Sequence, residues 1–438
     1  MVIIPVIGCL AMGAVLGYTF IDGKGISEAG KIQRVANNCG LTIREDGKVV
    51  TMQLLTKRRH DWGTHYVYRI PLGLSFDEVA KKKANLEDGL NQKRNLLDIP
   101  FHEFRQLRLG SDLLEQIRKI FQTERGRKEI ALDYDGALHI RVYHRPLPEL
   151  VPYVVNGSGW KVCIGESREG ILHHDFDTIP HMVVAGTTRY GKSVFLKNVI
   201  ATLIHNQPDR VRFTLIDLKG GLAFNRFSGL RQVASVSKDI DESLHALQTV
   251  QKALKDRQRE FLGKGYEDVR EAKQKAREFI IVDEAAEISS AGIGDKEEKQ
   301  KRVECERILS EIARIGGALG FRLVFATQYP TADTLPRQIK QNCDARLCFR
   351  LQTDVASRVV LDDAGAEQLP YIKGRAIYQT DRKHIVQTPF IENDTIEKII
   401  KPHIVIKAKK EVQRDTPTAQ SREGRSYSLI IEETRLSQ

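Results

Sequence analysis

His181-Met182-Val183-Val184-Ala185-Gly186-Thr187-Thr188-Arg189-Tyr190-Gly191-Lys192-Ser193-Val194-Phe195-Leu196-Lys197-Asn198-Val199-Ile200 is the stretch that decides the fold. The apolar run before Gly186 reads as a buried strand. The run after Ser193 keeps its apolar residues on one helical face. Strand, glycine loop, Lys-Ser and helix, in that order, make a phosphate-binding loop. Its glycines let backbone N–H groups curl around phosphate oxygens, and the helix N-terminus adds positive potential. Gly186, Thr187, Thr188, Arg189, Tyr190, Gly191, Lys192, Ser193 and Val194 are therefore the expected cradle for ATP. Lys192 is expected to reach the β- and γ-phosphates, and Ser193 to ligate Mg²⁺. A chance glycine turn is the competing reading, and the strand–helix context disfavours it.

The other half of such a site is Phe279-Ile280-Ile281-Val282-Asp283-Glu284. A buried strand there delivers two adjacent carboxylates at its C-terminal end, where open α/β sheets bind ligands. Asp283 is expected to hold Mg²⁺ through water, and Glu284 to polarise the attacking water. Val324-Phe325-Ala326-Thr327-Gln328 reads as a further strand end, with its polar pair, Thr327 and Gln328, beside the γ-phosphate to sense its loss. Arg314, Arg346, Arg350 and Arg358 lie near it in the chain. A neighbouring subunit can lend an arginine to phosphoryl transfer; Arg346 and Arg358 are the favoured candidates, and surface salt bridging is the common fate of any single arginine.

Working outward, short apolar runs at 182–185, 211–217, 279–283, 321–327 and 345–351 alternate with helical patterns, which predicts a parallel α/β sheet. Ile240, Leu244, Leu247, Gln251, Leu254 and Phe261 mark a helix from about Asp239. Ahead of this motor, residues 40–75 alternate apolar and polar, with a turn at Glu45-Asp46-Gly47-Lys48. Ser75 is expected to cap a helix to about Leu97, and a second helix is expected over 107–121. Residues 130–143 read as a hairpin around Asp135-Gly136, and 147–152 as a linker. Residues 2–21 carry no charge, long enough for a bilayer core, with Gly13 and Gly17 suited to helix pairing. Lys24, Lys31 and Arg34 then place the downstream side in the cytoplasm. A buried core helix is the alternative for that run. The expected organisation is a transmembrane segment at 1–22, a small α+β domain at 23–150, a P-loop ATPase motor of the RecA-like α/β class at 151–402, and a flexible tail at 403–438.

The 438 residues carry a net charge of +11, which favours an anionic partner such as nucleic acid or an acidic membrane face. Six cysteines, without a CxxC pair or a His cluster, read as reduced packing residues. That excludes a disulfide scaffold or a Cys-ligated metal centre as the basis of function.

Several blocks, in order, resemble the FtsK/SpoIIIE DNA translocases. Ile179-Pro180 through Gly186 leads into the loop as in that family, and Leu215-Ile216-Asp217-Leu218-Lys219-Gly220-Gly221 looks like its second strand and glycine turn. Ile312-Ala313-Arg314, Phe321 to Pro330, Ile339-Lys340-Gln341-Asn342, Arg346, Ser357-Arg358-Val359-Val360-Leu361-Asp362, Gly365-Ala366-Glu367-Gln368-Leu369 and Gly374-Arg375 continue it. The similarity covers about residues 150–380. Arg189-Tyr190 departs from the small residues usual in that loop. The stretch after residue 400 is too short for a winged-helix DNA-reading domain, and no four-span membrane region precedes the motor. This architecture is similar to compact coupling ATPases of conjugative elements. The resemblance implies a membrane-tethered, homo-oligomeric, hexameric ATPase that pumps DNA without reading sequence, in concert with relaxase or transfer-channel proteins. Lys219, Arg226 and Arg231 are the expected DNA contacts, with Lys296 and Lys299 behind them. Chromosome segregation and protein secretion are the alternatives in the same motor class. A scaffold with a vestigial site is a third, disfavoured by the intact Lys192, Ser193, Asp283 and Glu284.

Overall fold

The computed structural model of the chain describes residues 27–91, 127–155 and 157–405. The uncharged run at 2–21, the helix expected over 107–121 and nearly all of the expected tail lie outside these residues.

Helix Glu28–Asn38 opens the described chain, capped by Ser27, whose hydroxyl accepts from Gly30 N at 3.1 Å. A hairpin follows, β1 (Thr42–Glu45) with β2 (Lys48–Thr51), turning at Asp46-Gly47, both at positive φ. Strands β3 (Gln53–His60), β4 (Gly63–Arg69), β5 (Glu129–Tyr134) and β6 (Leu138–Tyr143) form an antiparallel sheet in the order β3-β4-β6-β5. Tyr66, Tyr68, Leu138, Ile140 and Val142 alternate along it and bury one face with Ile32 and Ala36 of the first helix. The helix expected to start at Ser75 does so, through a reciprocal Ser75–Glu78 capping box. It is two short helices, Phe76–Lys81 and Lys83–Leu90, broken at Lys82, where one helix to Leu97 was expected.

The larger sheet takes in β8 (Lys161–Ser167), β9 (Gly170–Asp175), β10 (Met182–Ala185), β11 (Val211–Ile216), β12 (Val233–Ser237), β13 (Arg277–Val282), β14 (Phe321–Thr327), β15 (Ala345–Phe349), β16 (Arg375–Gln379) and β17 (Lys383–Gln387). Its order is β12-β11-β13-β14-β10-β15-β16-β17-β8-β9. The first six strands are parallel; from β16 onward the pairings are antiparallel. The sheet is therefore mixed, a correction to the wholly parallel one expected. The segment expected as a linker is pinned. Its strand β7 (Val151–Pro152) pairs with β18 (Pro389–Phe390), and Arg375 Nη2 donates to the carbonyl of Pro148 at 2.8 Å.

The parallel half is covered on both faces, so its strands read as unbroken apolar runs. Met182 and Val184 of β10 point into one core with Phe195, Leu196, Val199, Ile200 and Leu203 of helix Lys192–Asn206. Val183 and Ala185 point into the other, against Leu247, Leu254, Cys305, Ile308 and Ile312 of helices Ile240–Lys264 and Lys296–Ile315. Asp239 and Asp295 cap those two helices, each accepting from the backbone N–H three residues on.

At the N-terminal edge of the parallel strands Asp177 accepts from Arg277 Nε at 2.8 Å and Arg322 Nη2 at 2.9 Å; Arg322 is only 1 % exposed. Burial works against the Asp177 carboxylate, but these bonds hold its pKa below the ordinary value. Burial pushes His181 down to about 3, with help from Arg322, and burial alone does the same for His174. Tyr143 OH donates to Glu169 Oε1 at 3.0 Å, and Arg168 pairs with Glu129, tying the small sheet to the β8–β9 turn.

Candidate nucleotide-binding site

The site lies at the C-terminal ends of β10, β11, β13 and β14. Gly186 N donates to Thr327 O at 3.2 Å, and Thr187 donates to Arg350 O through both its amide and its hydroxyl, at 3.2 and 2.9 Å. The loop is thus fastened to the strands on either side of β10. A side chain at Gly186 would put its Cβ 2.6 Å from Phe349 Cβ, so the close approach to β15 requires glycine. Gly191 sits at φ +117, and Arg189 stands at φ +76 in the left-handed region. Gly374, just ahead of β16, donates to Tyr190 O at 2.9 Å. The antiparallel half of the sheet therefore braces the loop from outside.

Lys192, at the first position of its helix, is buried with its Nζ 2.9 Å from Asp283 Oδ1, and it also donates to the Asp283 carbonyl. Glu284 Oε2 is 3.9 Å away. Glu284 is 1 % exposed. Its Oε1 accepts from Thr327 Oγ1 at 2.9 Å and from Gln328 N at 3.0 Å; its Oε2 accepts from Gln328 N at 3.2 Å and from Lys219 Nζ at 3.1 Å. Gln328 Oε1 in turn accepts from Thr188 Oγ1 at 2.9 Å, joining the loop tip to the end of β14. Lys192, Asp283, Glu284 and Gln328 are thus brought together. Ser193 follows Lys192 at the helix start, half-buried.

The arginines and the expected DNA contacts are scattered. Arg346 is the second residue of β15, in register with Val183, toward the strand end away from the loop, and pairs with Asp362. Arg358 is exposed on helix Asp354–Leu361, its Nε 3.8 Å from Asp354. Lys219 reaches back to Glu284 rather than outward. Arg226 is half-buried near Lys197 of the loop helix; burial and then the Arg226 charge lower the Lys197 pKa. Arg231 precedes β12, at the sheet edge opposite the loop, and pairs with Asp209 at 2.7 Å.

Sequence reasoning gave Asp217 and Phe349 no role; Thr327, expected beside the γ-phosphate with Gln328, donates to Glu284. Asp217 follows β11 directly and ties down the next turn, accepting from Lys219 N at 3.2 Å and Ala223 N at 2.8 Å. A buried Asp before Gly-Gly carries that signal, as an Asx-type anchor.

Among the described residues no cluster of three or more His, Cys, Asp or Glu is placed to hold a metal. Mg²⁺ fits this donor set all the same. It is commonly held by one or two protein oxygens, the rest coming from phosphate and water, and Ser193 and, through water, Asp283 are the side chains that would serve.

The sequence model of the FtsK/SpoIIIE family matches residues 160–283. That stretch is what the chain shares with FtsK/SpoIIIE proteins. The chain is 28 % identical over 306 residues to "DNA translocase FtsK" of Helicobacter pylori (strain J99 / ATCC 700824), covering 66 % of this chain and 35 % of that one. It is 30 % identical over 279 residues to "DNA translocase SpoIIIE" of Bacillus subtilis (strain 168), covering 58 % and 34 %. The chain thus spans about a third of the length of these relatives. In fold, the structure of the pCW3 conjugation coupling protein TcpA, in monomer form with ATPgS, superposes with a TM-score of 0.56 at 20 % identity, covering 86 % of this chain and 99 % of that one. The FtsK/SpoIIIE match ends at Asp283, so it holds the phosphate-binding loop and stops one residue short of Glu284.

Proposed function

We propose that the chain is an ATP-hydrolysing DNA translocase, the coupling ATPase that drives DNA transfer in conjugation. The observation that carries the reading is Glu284, buried at the end of β13 beside Lys192 and Asp283 and held by the end of β14. That is where a water-polarising carboxylate is needed for attack on a γ-phosphate. Likeness to translocases over the motor, and in fold to a coupling protein along most of the chain, supports the choice of DNA.

In this reading the loop amides cradle the phosphates, and Lys192 exchanges the Asp283 carboxylate for β- and γ-phosphate oxygens. Ser193 and, through water, Asp283 would hold Mg²⁺, which when bound would neutralise charge on the phosphates. Glu284 orients the water. Gln328, bonded to both Glu284 and Thr188, relays the loss of the γ-phosphate to β14. A neighbour in a hexameric ring supplies an arginine, and exposed Arg358 suits that role better than Arg346, which is 14 % exposed and already paired. Lys219, Arg226 and Arg231 remain the proposed phosphate contacts on DNA. Among the described residues no helix is long and apolar enough to cross a membrane. The uncharged run at 2–21 is the proposed anchor to the cytoplasmic face, with relaxase or channel proteins as partners.

The test is duplex binding across a salt series in the presence of a non-hydrolysable ATP analogue. The log of affinity should fall with log salt at about −0.9 per phosphate neutralised, with little preference among sequences. Salt-independent binding would sink the DNA reading and promote protein secretion.

A further inference from the structure

We infer that Lys219 restrains Glu284 and that a nucleic-acid phosphate releases it by taking the Lys219 ammonium. The inference rests on the DNA-dependent ATPase reading above and deepens it by naming how substrate reaches the catalytic carboxylate.

A carboxylate offers about four lone-pair positions. Three donors engage the two oxygens of Glu284: Thr327 Oγ1 on Oε1, the single Gln328 N–H shared between Oε1 and Oε2, and Lys219 Nζ on Oε2. Lys219 occupies one lone pair of Oε2 with a full positive charge, which weakens the carboxylate's pull on the hydrogen of an attacking water. Thr327 and the Gln328 amide belong to the buried end of β14 and stay where the strand puts them. Lys219 differs. Its side chain is 41 % exposed, against 1 % for Glu284. It lies in the turn after β11, ahead of Gly220 and Gly221, both at positive φ. Asp217 anchors the root of that turn, accepting from the amides of Lys219 and Ala223. The backbone is fixed, while the four-carbon stem is free to swing its ammonium between Glu284 and solvent.

That arrangement is a competition between two anions for one ammonium. DNA concentrates phosphates along its length and attracts lysine strongly. A phosphate within reach of the turn draws Nζ off Oε2 and opens a lone pair at Glu284. Hydrolysis is then fast only while the turn is on DNA. A plain stabilising ion pair would have the same distance, so the discriminating readout is the rate, not the stability.

The experiment uses the full chain, Mg-ATP, and linear duplex plasmid present or absent. Lys219→Ala should raise DNA-free turnover about tenfold, the effect of one charge-assisted hydrogen bond at the weak end of its range. Its rate should then respond little to duplex. Lys219→Arg keeps the charge and should raise the DNA-free rate less than Lys219→Ala while still responding to duplex. A Lys219→Ala rate at or below wild type without DNA overturns the restraint. A Lys219→Ala protein that is faster but still fully stimulated overturns release by phosphate. Wild type indifferent to duplex and single strand defeats the translocase reading instead, while the DNA-free comparison still decides the restraint.

Discussion

Lys192→Ala should unsettle the nucleotide-free protein as well as stop hydrolysis. Lys192 and Asp283 are 3 % and 6 % exposed and 2.9 Å apart. Glu284 keeps Lys219, Thr327 and Gln328, so the loss falls on Asp283, whose carboxylate has Lys192 as its counter-charge. Removing one partner of a buried ion pair costs about 3–5 kcal/mol, because the other charge is left without compensation. In a domain of this size each kcal/mol moves Tm by about 2–4 °C, which gives a drop of roughly 6–20 °C. The assay is thermal melting followed by circular dichroism in nucleotide-free buffer. Adding Asp283→Ala to Lys192→Ala should recover much of the loss, since no charge is then stranded. A Lys192→Ala melt indistinguishable from wild type, or effects that simply add in the double variant, would refute the pairing and its energetic weight.

Other outcomes follow from the same geometry. Glu284→Gln should retain fluorescent-ATP binding and lose turnover by about 10²–10⁴-fold in a phosphate-release assay; near-normal turnover would remove Glu284 from the water-polarising role. Gly186→Ala drives a methyl group to 2.6 Å from Phe349 Cβ and should cost about 1–3 kcal/mol in urea unfolding, with weaker ATP binding. His174 and His181 should make the fold acid-sensitive. Each is pushed down to about 3 in the folded protein against 6.5 ordinarily, so the unfolded chain binds the extra protons between those values. Their stabilisation is full above 6.5 and declines as pH falls, by up to about 1.4 kcal/mol per pH unit for each. An NMR titration that finds either imidazole protonating near its ordinary value would contradict this.

The parallel half of the fold was legible because strands buried on both faces announce themselves. Met182–Ala185 and Phe321–Thr327 are wholly buried, and helix Ile240–Lys264 carried its periodicity and its Asp239 cap openly. The antiparallel half was not. Strands such as Lys383–Gln387 and Gly170–Asp175 are partly exposed, short and mixed in pattern, and the partners of β8 and β17 lie more than two hundred residues apart. In the site, the loop and Asp283-Glu284 stood out because their chemistry is local in sequence. The Lys219–Glu284 contact spans 65 residues and Thr327–Glu284 spans 43, so nothing in their local pattern could pair them. Arg231 shows the converse. It is near Lys219 in sequence, but the chain crosses to the far edge of the sheet between them.

Triplex displacement tests the claim of ATP-driven movement along DNA most directly. A labelled third strand is bound at one end of a linear duplex, and the full chain is added with Mg-ATP. The expected result is displacement that needs hydrolysable ATP, is lost in Glu284→Gln, and does not depend on the duplex sequence. A protein that binds the duplex and hydrolyses ATP yet leaves the third strand in place, whatever the duplex length, would contradict translocation.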